Sequence, residues 1–67
     1  MIVKCINNKS KFYINGLLPI TINKEYKVQY EDPNYYYVND DNNKYQCFLK
    51  TRFEITVPEI YDISGMD

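Results

Sequence analysis

The stretch NYYYVNDDNNKYQCFL, residues 34–49, decides the fold because it holds two strand patterns around one turn. YYYVND and KYQCFL are rich in aromatic and β-branched residues, and the DNN between them is typical of a tight turn. Successive side chains of a strand point to opposite faces. We expect Val38 to face the core together with Tyr36, which leaves Tyr35 and Tyr37 facing outward.

The second strand of this hairpin offers apolar side chains to both faces. Phe48 falls in the opposite phase from Tyr45, Cys47 and Leu49. We expect Phe48 to join the two outer tyrosines in an exposed aromatic cluster. Tyrosine is favoured at protein interfaces because it buries a large area at a low entropy cost. The alternative is that these rings form cross-strand pairs that only stabilise the sheet.

The rest of the chain reads as further short strands divided by polar turns. Residues Tyr26, Val28 and Tyr30 alternate with polar residues, and so share one predicted face. The remaining predicted pieces are a first strand MIVKCIN (1–7), an extended FYI (12–14), a turn at NG (15–16), a strand KEYKVQYED (24–32), a tight KTR link (50–52), and a last strand FEITV (53–57) with Phe53, Ile55 and Val57 on one face.

These patterns predict an all-β domain over residues 1–57. No segment shows a helical period, and five or six strands at intervals of about 8–12 residues are typical of a small barrel or sandwich. The long first loop, two short turns, a single 3₁₀ turn and a short last strand favour a five- to six-stranded SH3-like barrel. Closure would also remove exposed sheet edges from a chain of 67 residues.

Four stretches resemble small SH3-like β-barrel proteins of low-GC bacteria and their phages. They are Lys4-Cys5-Ile6-Asn7, Leu18 to Val28, Tyr36 to Asp40, and Lys50 to Ile55. The resemblance covers roughly residues 1–57 and implies the fold more firmly than a function. Asn23 stands where that group commonly has glycine, a change that the fold accommodates because asparagine also tolerates positive φ.

The segment PEIYDISGMD, residues 58–67, is predicted to be a C-terminal tail beyond the barrel. It combines three acidic side chains with apolar residues that include Tyr61. Pro58 is suited to the first position of a helical turn. A turn of this length is not stable alone, so its apolar residues need a surface. That surface is either the barrel itself or another chain.

Composition argues against several classes of function. The net charge is −1, whereas a non-specific nucleic-acid binder carries a basic excess. The same charge argues against attraction to an anionic membrane. No apolar run approaches the roughly 20 residues of a spanning helix, and the start of the chain lacks the apolar core of a signal peptide. We therefore expect a cytoplasmic protein, in the host cell if it is encoded by a phage.

The sequence gives little basis for catalysis, a metal or a cofactor. There is no histidine, the usual general acid–base group. The two cysteines, Cys5 and Cys47, have no CxxC spacing and lie in strand patterns, so we interpret them as buried packing residues. A disulfide or redox pair is the alternative. The Asp and Asn residues around position 40 lack the spacing of a calcium loop.

The first functional hypothesis is a non-enzymatic protein-binding module. Its predicted partner is a host protein, such as an anti-phage defence protein that a phage-encoded chain would inhibit. A homodimer through the same tyrosines is also open. The predicted partner-binding residues are Tyr13, Tyr35, Tyr37, Phe48 and Tyr61.

Two other hypotheses use the same aromatic side chains. An oligomeric protein that sequesters a small molecule or nucleotide would stack the base on tyrosine and hold phosphate with Lys11, Lys50 or Arg52. A single-stranded nucleic-acid binder would do the same along a strand, and the net charge counts against it.

Overall fold

The computed structural model describes residues 1–58 and contains six short strands and one 3₁₀ turn. A long first loop, residues 6–24, follows the first strand. The elements are β1 (Ile2–Cys5), β2 (Glu25–Lys27), β3 (Tyr30–Glu31), β4 (Tyr35–Asn39), β5 (Tyr45–Leu49), the 3₁₀ turn (Lys50–Arg52) and β6 (Phe53–Val57). The all-β prediction is confirmed, and so is the 3₁₀ link before the last strand.

The strands form two antiparallel sheets of three strands each. One sheet has the order β2-β1-β6 and the other has the order β3-β4-β5. Within residues 1–58 the ladders do not close these sheets into a barrel, so the two sheets are the architecture that the structure gives.

The predicted continuous strand at 24–32 is broken, and the break passes the chain from one sheet to the other. Val28 N donates to Met1 O (3.0 Å), beside the first sheet, whereas Gln29 N donates to Tyr37 O (2.8 Å) in the second. The break also ends the alternation. Tyr26 is buried and Val28 is partly buried, but Tyr30 is exposed, so the prediction that all three share one face is wrong for Tyr30.

The core lies between the sheets and is organised around Phe53 at the start of β6. The Phe53 ring meets the rings of Tyr26, Tyr36 and Phe48 edge-on, at centroid distances of 6.2, 5.8 and 6.4 Å. Edge-to-face pairs at such distances add to the stabilisation from buried area. Small residues complete the buried cluster, which consists of Val3, Cys5, Ile20, Tyr26, Tyr36, Val38, Phe48 and Phe53.

The register of the β4–β5 hairpin corrects the prediction for Phe48. Tyr36 lies opposite Phe48, and Tyr37 lies opposite Cys47. Directly opposed residues share a face, so Phe48 accompanies the inward Tyr36 and is only 5% exposed. Cys47 is exposed, contrary to its prediction as a buried residue, whereas Cys5 is buried as predicted. Tyr36 and Val38 are inside as expected.

The first loop is irregular but well bonded. The predicted extended piece at 12–14 is instead part of a turn, and one isolated bridge joins Lys9 to Leu17. The turn predicted at 15–16 is present, with Gly16 at φ 75° and its N–H donating to Tyr13 O (2.9 Å). Asn23 has φ 71°, the left-handed conformation for which asparagine is a tolerated substitute for glycine.

The last strand departs from the predicted alternation. Phe53 is buried, but Ile55 and Val57 are each about half exposed. The pairing of β6 with β1 shifts register between Ile2 and Val3, so that Val3 lies opposite Ile55 and Ile2 opposite Val57. Such an irregularity re-aims the side chains that follow it. The predicted tail continues from here, and its residues 59–67, with Tyr61, lie outside the described residues.

Candidate functional site

The solvent side of the second sheet carries a set of side chains that are mostly tyrosines. We call this set the outer tyrosine face: Tyr30, Tyr35, Tyr37, Tyr45, Cys47 and Leu49. Tyr30 is 60% exposed and Tyr45 is 57% exposed, whereas Tyr37 between them is half-buried. The prediction that Tyr35 and Tyr37 point outward is therefore confirmed.

Strand pairing aligns three of these rings across the sheet. Tyr30 on β3 lies opposite Tyr37 on β4, and their rings meet edge-on at 5.3 Å. On the other side, Tyr37 stacks on Tyr45 of β5 at 5.8 Å, with an interplanar angle of 29°. The result is a row of rings that crosses the sheet directly from β3 to β4 and diagonally from β4 to β5, where Tyr45 lies opposite Asn39, with Tyr37 as its centre.

A carboxylate at the β3–β4 turn anchors the central ring of this row. Asp32 Oδ1 accepts hydrogen bonds from the backbone N–H groups of Asn34 (2.9 Å) and Tyr35 (2.7 Å). Asp32 Oδ2 accepts from the hydroxyl of Tyr37 (3.3 Å). The two backbone bonds are typical of an aspartate that stabilises a turn through its own side chain.

These contacts set the charge of the face. The hydrogen bonds from Asn34 N, Tyr35 N and Tyr37 hold the pKa of Asp32 below its usual value. Desolvation among the neighbouring rings, followed by the charge of Asp32, raises the pKa of Tyr37. At neutral pH the carboxylate of Asp32 is therefore ionised and the phenol of Tyr37 keeps its proton.

Two other predicted partner-binding residues, Tyr13 and Phe48, do not join this face. Phe48 lies in the core. Tyr13 is exposed, but it belongs to the first loop and lines a cleft there. Among the predicted partner-binding residues within 1–58, the structure therefore brings together Tyr35 and Tyr37, and Tyr61 lies outside the described residues.

The three predicted anion contacts lie in three different environments. Lys50 donates to Glu31 Oε1 (2.6 Å) and lies over the Tyr36 ring, and the bond to Glu31 raises the pKa of Lys50. Arg52 Nη1 donates to Lys9 O (2.7 Å), which ties the first loop to the 3₁₀ turn. Lys11 lies 5.8 Å from the ring of Phe12 at the loop's exposed tip. They do not form one anion site.

A cleft of about 700 Å³ opens between the first loop and the turn of the β4–β5 hairpin. Its apolar wall is the segment 17–20 of the first loop, and its polar wall is the hairpin turn. The lining residues are Asn8, Tyr13, Asn15, Leu17, Leu18, Pro19, Ile20, Thr21, Asp41, Asn42, Lys44 and Gln46.

Asp41 joins the two walls of this cleft. Its carboxylate accepts hydrogen bonds from Thr21 Oγ1 (2.7 Å), Lys24 Nζ (2.8 Å) and Tyr26 Oη (2.7 Å), and its backbone N–H donates to Pro19 O (2.8 Å). Partial burial alone would raise the pKa of Asp41, but the three donors outweigh it and lower the pKa. Burial and the bond to Asp41 raise the pKa of Tyr26 to about 12.

A second aspartate shapes the hairpin turn from inside. Asp40 is buried, and its Oδ1 accepts from the backbone N–H groups of Asn42 (2.8 Å) and Lys44 (2.9 Å), while Gln46 Nε2 donates to its Oδ2. This is the turn chemistry that the sequence predicted for the aspartates. Among residues 1–58, no group of three or more cysteine and carboxylate side chains is arranged to hold a metal ion.

Sequence reasoning missed Tyr30 and Tyr45 as members of the outer tyrosine face. The signal for Tyr45 was present, because it shares a phase with Cys47 and Leu49, but the phase was placed on the wrong side. Tyr30 carried no such signal, since its exposure depends on the break after Val28. The cleft was also missed, because its walls are far apart in sequence.

The fold and the two surfaces define a small all-β protein with an exposed aromatic sheet face and a loop-lined cleft. No helix within the described part of the chain is long and apolar enough to span a bilayer. A family model described as "Family of unknown function (DUF6501)" matches residues 1–56, so the chain belongs to that family. No curated protein matches the chain. No solved structure matches it either.

Proposed function

We propose that this chain is a non-enzymatic binding protein that recognises another protein through the outer tyrosine face. The observation that carries the proposal is the row of Tyr30, Tyr37 and Tyr45, whose two outer members remain more than half exposed. A flat surface of this kind, with aromatic rings and polar hydroxyl groups, has the composition that is enriched at protein interfaces.

Sheet stabilisation alone is a weaker explanation for this row. A cross-strand aromatic pair contributes roughly 0.2–1 kcal/mol, and it does so with rings that cover one another. Tyr30 and Tyr45 each cover one side of Tyr37 and leave most of their own surface to solvent. Each additional 100 Å² of apolar surface that a partner removed from water would contribute roughly 2.5 kcal/mol before the entropic cost of association is subtracted.

The charge of the face favours a protein over a nucleic acid. The charged group bonded to the row within residues 1–58 is the carboxylate of Asp32. Lys50, the nearby cation, is paired with Glu31. Nucleic-acid binding requires cations for the phosphates, because phosphate contacts supply most of the non-specific affinity. A partner that donates hydrogen bonds to Asp32 or to the phenols fits this face better.

The finer fold is part of the proposal. We propose that the two sheets represent an SH3-like arrangement. Its support is the order of elements: a long first loop, a bent ribbon shared by both sheets at β2 and β3, a hairpin, a 3₁₀ turn and a last strand beside β1.

The partner is a protein of the cytoplasm in this proposal, either a host protein or a second copy of the chain. A phage or mobile-element origin, with inhibition of a host or anti-phage defence protein, is the biological setting that we propose. Sedimentation over a range of concentrations tests the homodimer. Identification of captured proteins by mass spectrometry tests the host partner.

The experiment compares the wild-type chain with a Tyr30→Ala/Tyr45→Ala variant, each immobilised and exposed to the same bacterial lysate. A Phe12→Ala/Ile14→Ala variant is the matched control, because it removes two apolar side chains of the first loop that are still more exposed than the two tyrosines. We expect the tyrosine variant to lose its specific partner, or its dimer, and the control to keep it. Unchanged association of the tyrosine variant, with its melting temperature intact, would refute the proposal.

A further inference from the structure

We propose that the cleft between the first loop and the β4–β5 turn binds a planar, hydrogen-bonding ring that carries an anionic group, and that a nucleoside monophosphate is a ligand of this class. The site is distinct from the outer tyrosine face, and it does not depend on the function proposed for that face.

The size of the cleft suits a small molecule. Its volume of about 700 Å³ lies within the roughly 300–1,000 Å³ that is usual for ligand pockets. One wall is apolar, formed by residues 17–20, and the opposite wall is polar. Ligand sites commonly combine an apolar surface with a few placed polar groups.

Hydrogen bonds hold both walls in place without a ligand. Asp41 N donates to Pro19 O (2.8 Å) and Leu18 N donates to Asn8 O (2.7 Å). Asn8 Nδ2 also donates to Ile20 O (2.9 Å). A site that is already ordered loses less conformational entropy on binding.

Side-chain amides give the cleft both donors and acceptors. Asn8 and Gln46 use their Nδ2 and Nε2 groups in the bonds to Ile20 O and Asp40 Oδ2. Asn15 uses its Oδ1 to accept from Leu17 N (3.3 Å). In the described part of the chain, this leaves acceptor oxygens on Asn8 and Gln46 and an NH₂ donor on Asn15. A nucleobase edge also alternates donors and acceptors.

The available charge in the cleft is positive. The carboxylate of Asp41 is already occupied by Thr21, Lys24 and Tyr26. Lys44 lines the same cleft, and no carboxylate of residues 1–58 forms a salt bridge with its ammonium group. An anionic group on the ligand would therefore find an unpaired cation.

Tyr13 supplies an aromatic ring at the cleft, and its neighbour Phe12 does not. Tyr13 lines the cleft and is exposed, whereas Phe12 is not among the lining residues and is one of the most exposed apolar side chains. A base stacked on an aromatic side chain contributes roughly 1–3 kcal/mol, which corresponds to about 5- to 150-fold in affinity. The two adjacent rings therefore form a natural test pair.

The first experiment measures binding of AMP, GMP, CMP and UMP, and of the four matching nucleosides, by calorimetry with the full chain. We expect at least one nucleotide to bind and to raise the melting temperature of the protein. Its nucleoside should bind at least about ten-fold more weakly. No heat and no thermal shift with any of the eight compounds at millimolar concentration would overturn the proposal. Tighter binding of an oligonucleotide than of its mononucleotide would overturn it also, in favour of a single-stranded nucleic-acid site.

The second experiment locates the bound nucleotide with paired variants. Tyr13→Ala should weaken binding about ten-fold, while Phe12→Ala leaves it unchanged. Lys44→Met should reduce nucleotide affinity to that of the nucleoside, while Lys11→Met does not. The Tyr30→Ala/Tyr45→Ala variant should bind nucleotide as the wild type does. Loss of binding in that variant, or equal losses in the Tyr13 and Phe12 variants, would place the ligand elsewhere and overturn the proposal.

Discussion

The outer tyrosine face and the cleft are held by different forces. The face lies on three strands, and strand pairing determines which rings meet. Tyr30 contacts Tyr37 directly across the sheet, and Tyr37 contacts Tyr45 diagonally. The cleft has no ladder. Its walls come from an irregular loop and a hairpin turn, and Asp41 bonds across a separation of 20 residues to Thr21. A perturbation should therefore affect the two surfaces separately, unless it reaches the core beneath both.

The core beneath both surfaces gives the largest expected effect. Phe48 lies under the outer tyrosine face and packs on Phe53. Phe48→Ala should destabilise the fold by about 3–5 kcal/mol, the usual cost of removing a buried phenylalanine side chain. A domain this small has a stability of the same order, so we expect the variant to be largely unfolded by far-UV circular dichroism.

Phe12→Ala is the matched control for this experiment. It makes the same chemical change at a side chain that is 86% exposed, and should change the free energy of unfolding in urea by less than about 0.5 kcal/mol. If Phe48→Ala kept the wild-type urea midpoint, Phe48 would not be a core residue. The outer tyrosine face and the cleft would then not depend on Phe48 as a shared support.

The next largest effect separates the two surfaces. Asp41→Ala removes the acceptor for Thr21, Lys24 and Tyr26 and should cost about 1–3 kcal/mol. Hydrogen exchange should speed up at the amide of Thr21, which donates to Tyr26 Oη, before it changes at amides of the second sheet.

Glu54→Ala is the control for Asp41→Ala. Glu54 pairs with Lys4 at 3.4 Å on the surface, and an exposed pair of this kind contributes at most about 1 kcal/mol. Equal loss of amide protection in the loop and in both sheets of the Asp41 variant would show that the cleft is not a separate unit.

Acid should loosen both surfaces, each through its own aspartate. The pKa values of Asp41 and Asp32 are lowered in the folded chain. A lowered pKa means that the ionised form stabilises the fold, so the contribution is complete above the unfolded value of about 3.9 and is lost as pH falls through the folded pKa. We expect the melting temperature to fall between about pH 4 and pH 2.

Two conservative variants divide this acid response between the surfaces. Asp41→Asn should flatten the pH dependence of NMR shifts at Thr21, and Asp32→Asn should flatten it at Tyr35, whose N–H donates to Asp32. A melting temperature that is constant from pH 5 to pH 2 in the wild type would contradict both assignments.

The sequence predicted the parts of the molecule that local patterns control. The alternation of Tyr35, Tyr36, Tyr37 and Val38 was sufficient to sort these residues into outer and inner faces. The turn at 15–16 also followed from local chemistry, whereas the positive φ of Asn23 agrees with the glycine that the resemblance places there. The side of β5 that faces the core did not, because a shift of one residue in the hairpin register exchanges the two faces. That register places Phe48 inside and Cys47 outside.

Non-local contacts explain the other failures. Tyr30 is exposed because the chain passes from one sheet to the other between Val28 and Gln29. The backbone N–H groups on the two sides of this break donate to Met1 O and Tyr37 O. The cleft depends on the bond from Thr21 to Asp41, and no pattern within a short window of sequence reports such a pair. The sequence therefore predicted part of the outer tyrosine face, and it did not predict the cleft.

The smallest expected effect tests whether stability alone explains the outer tyrosine face. Tyr45→Ala removes one stacked ring that is 57% exposed and should cost less than about 1 kcal/mol in the free energy of unfolding. Tyr30→Ala at the other end of the row should cost a similar amount. Urea titration followed by circular dichroism measures both. If either change lowered the free energy of unfolding as much as Phe48→Ala, the exposed row would stabilise the fold as the core does. Stability alone would then explain its rings. A small cost agrees with the proposed binding role, because stability would then not account for the exposed rings.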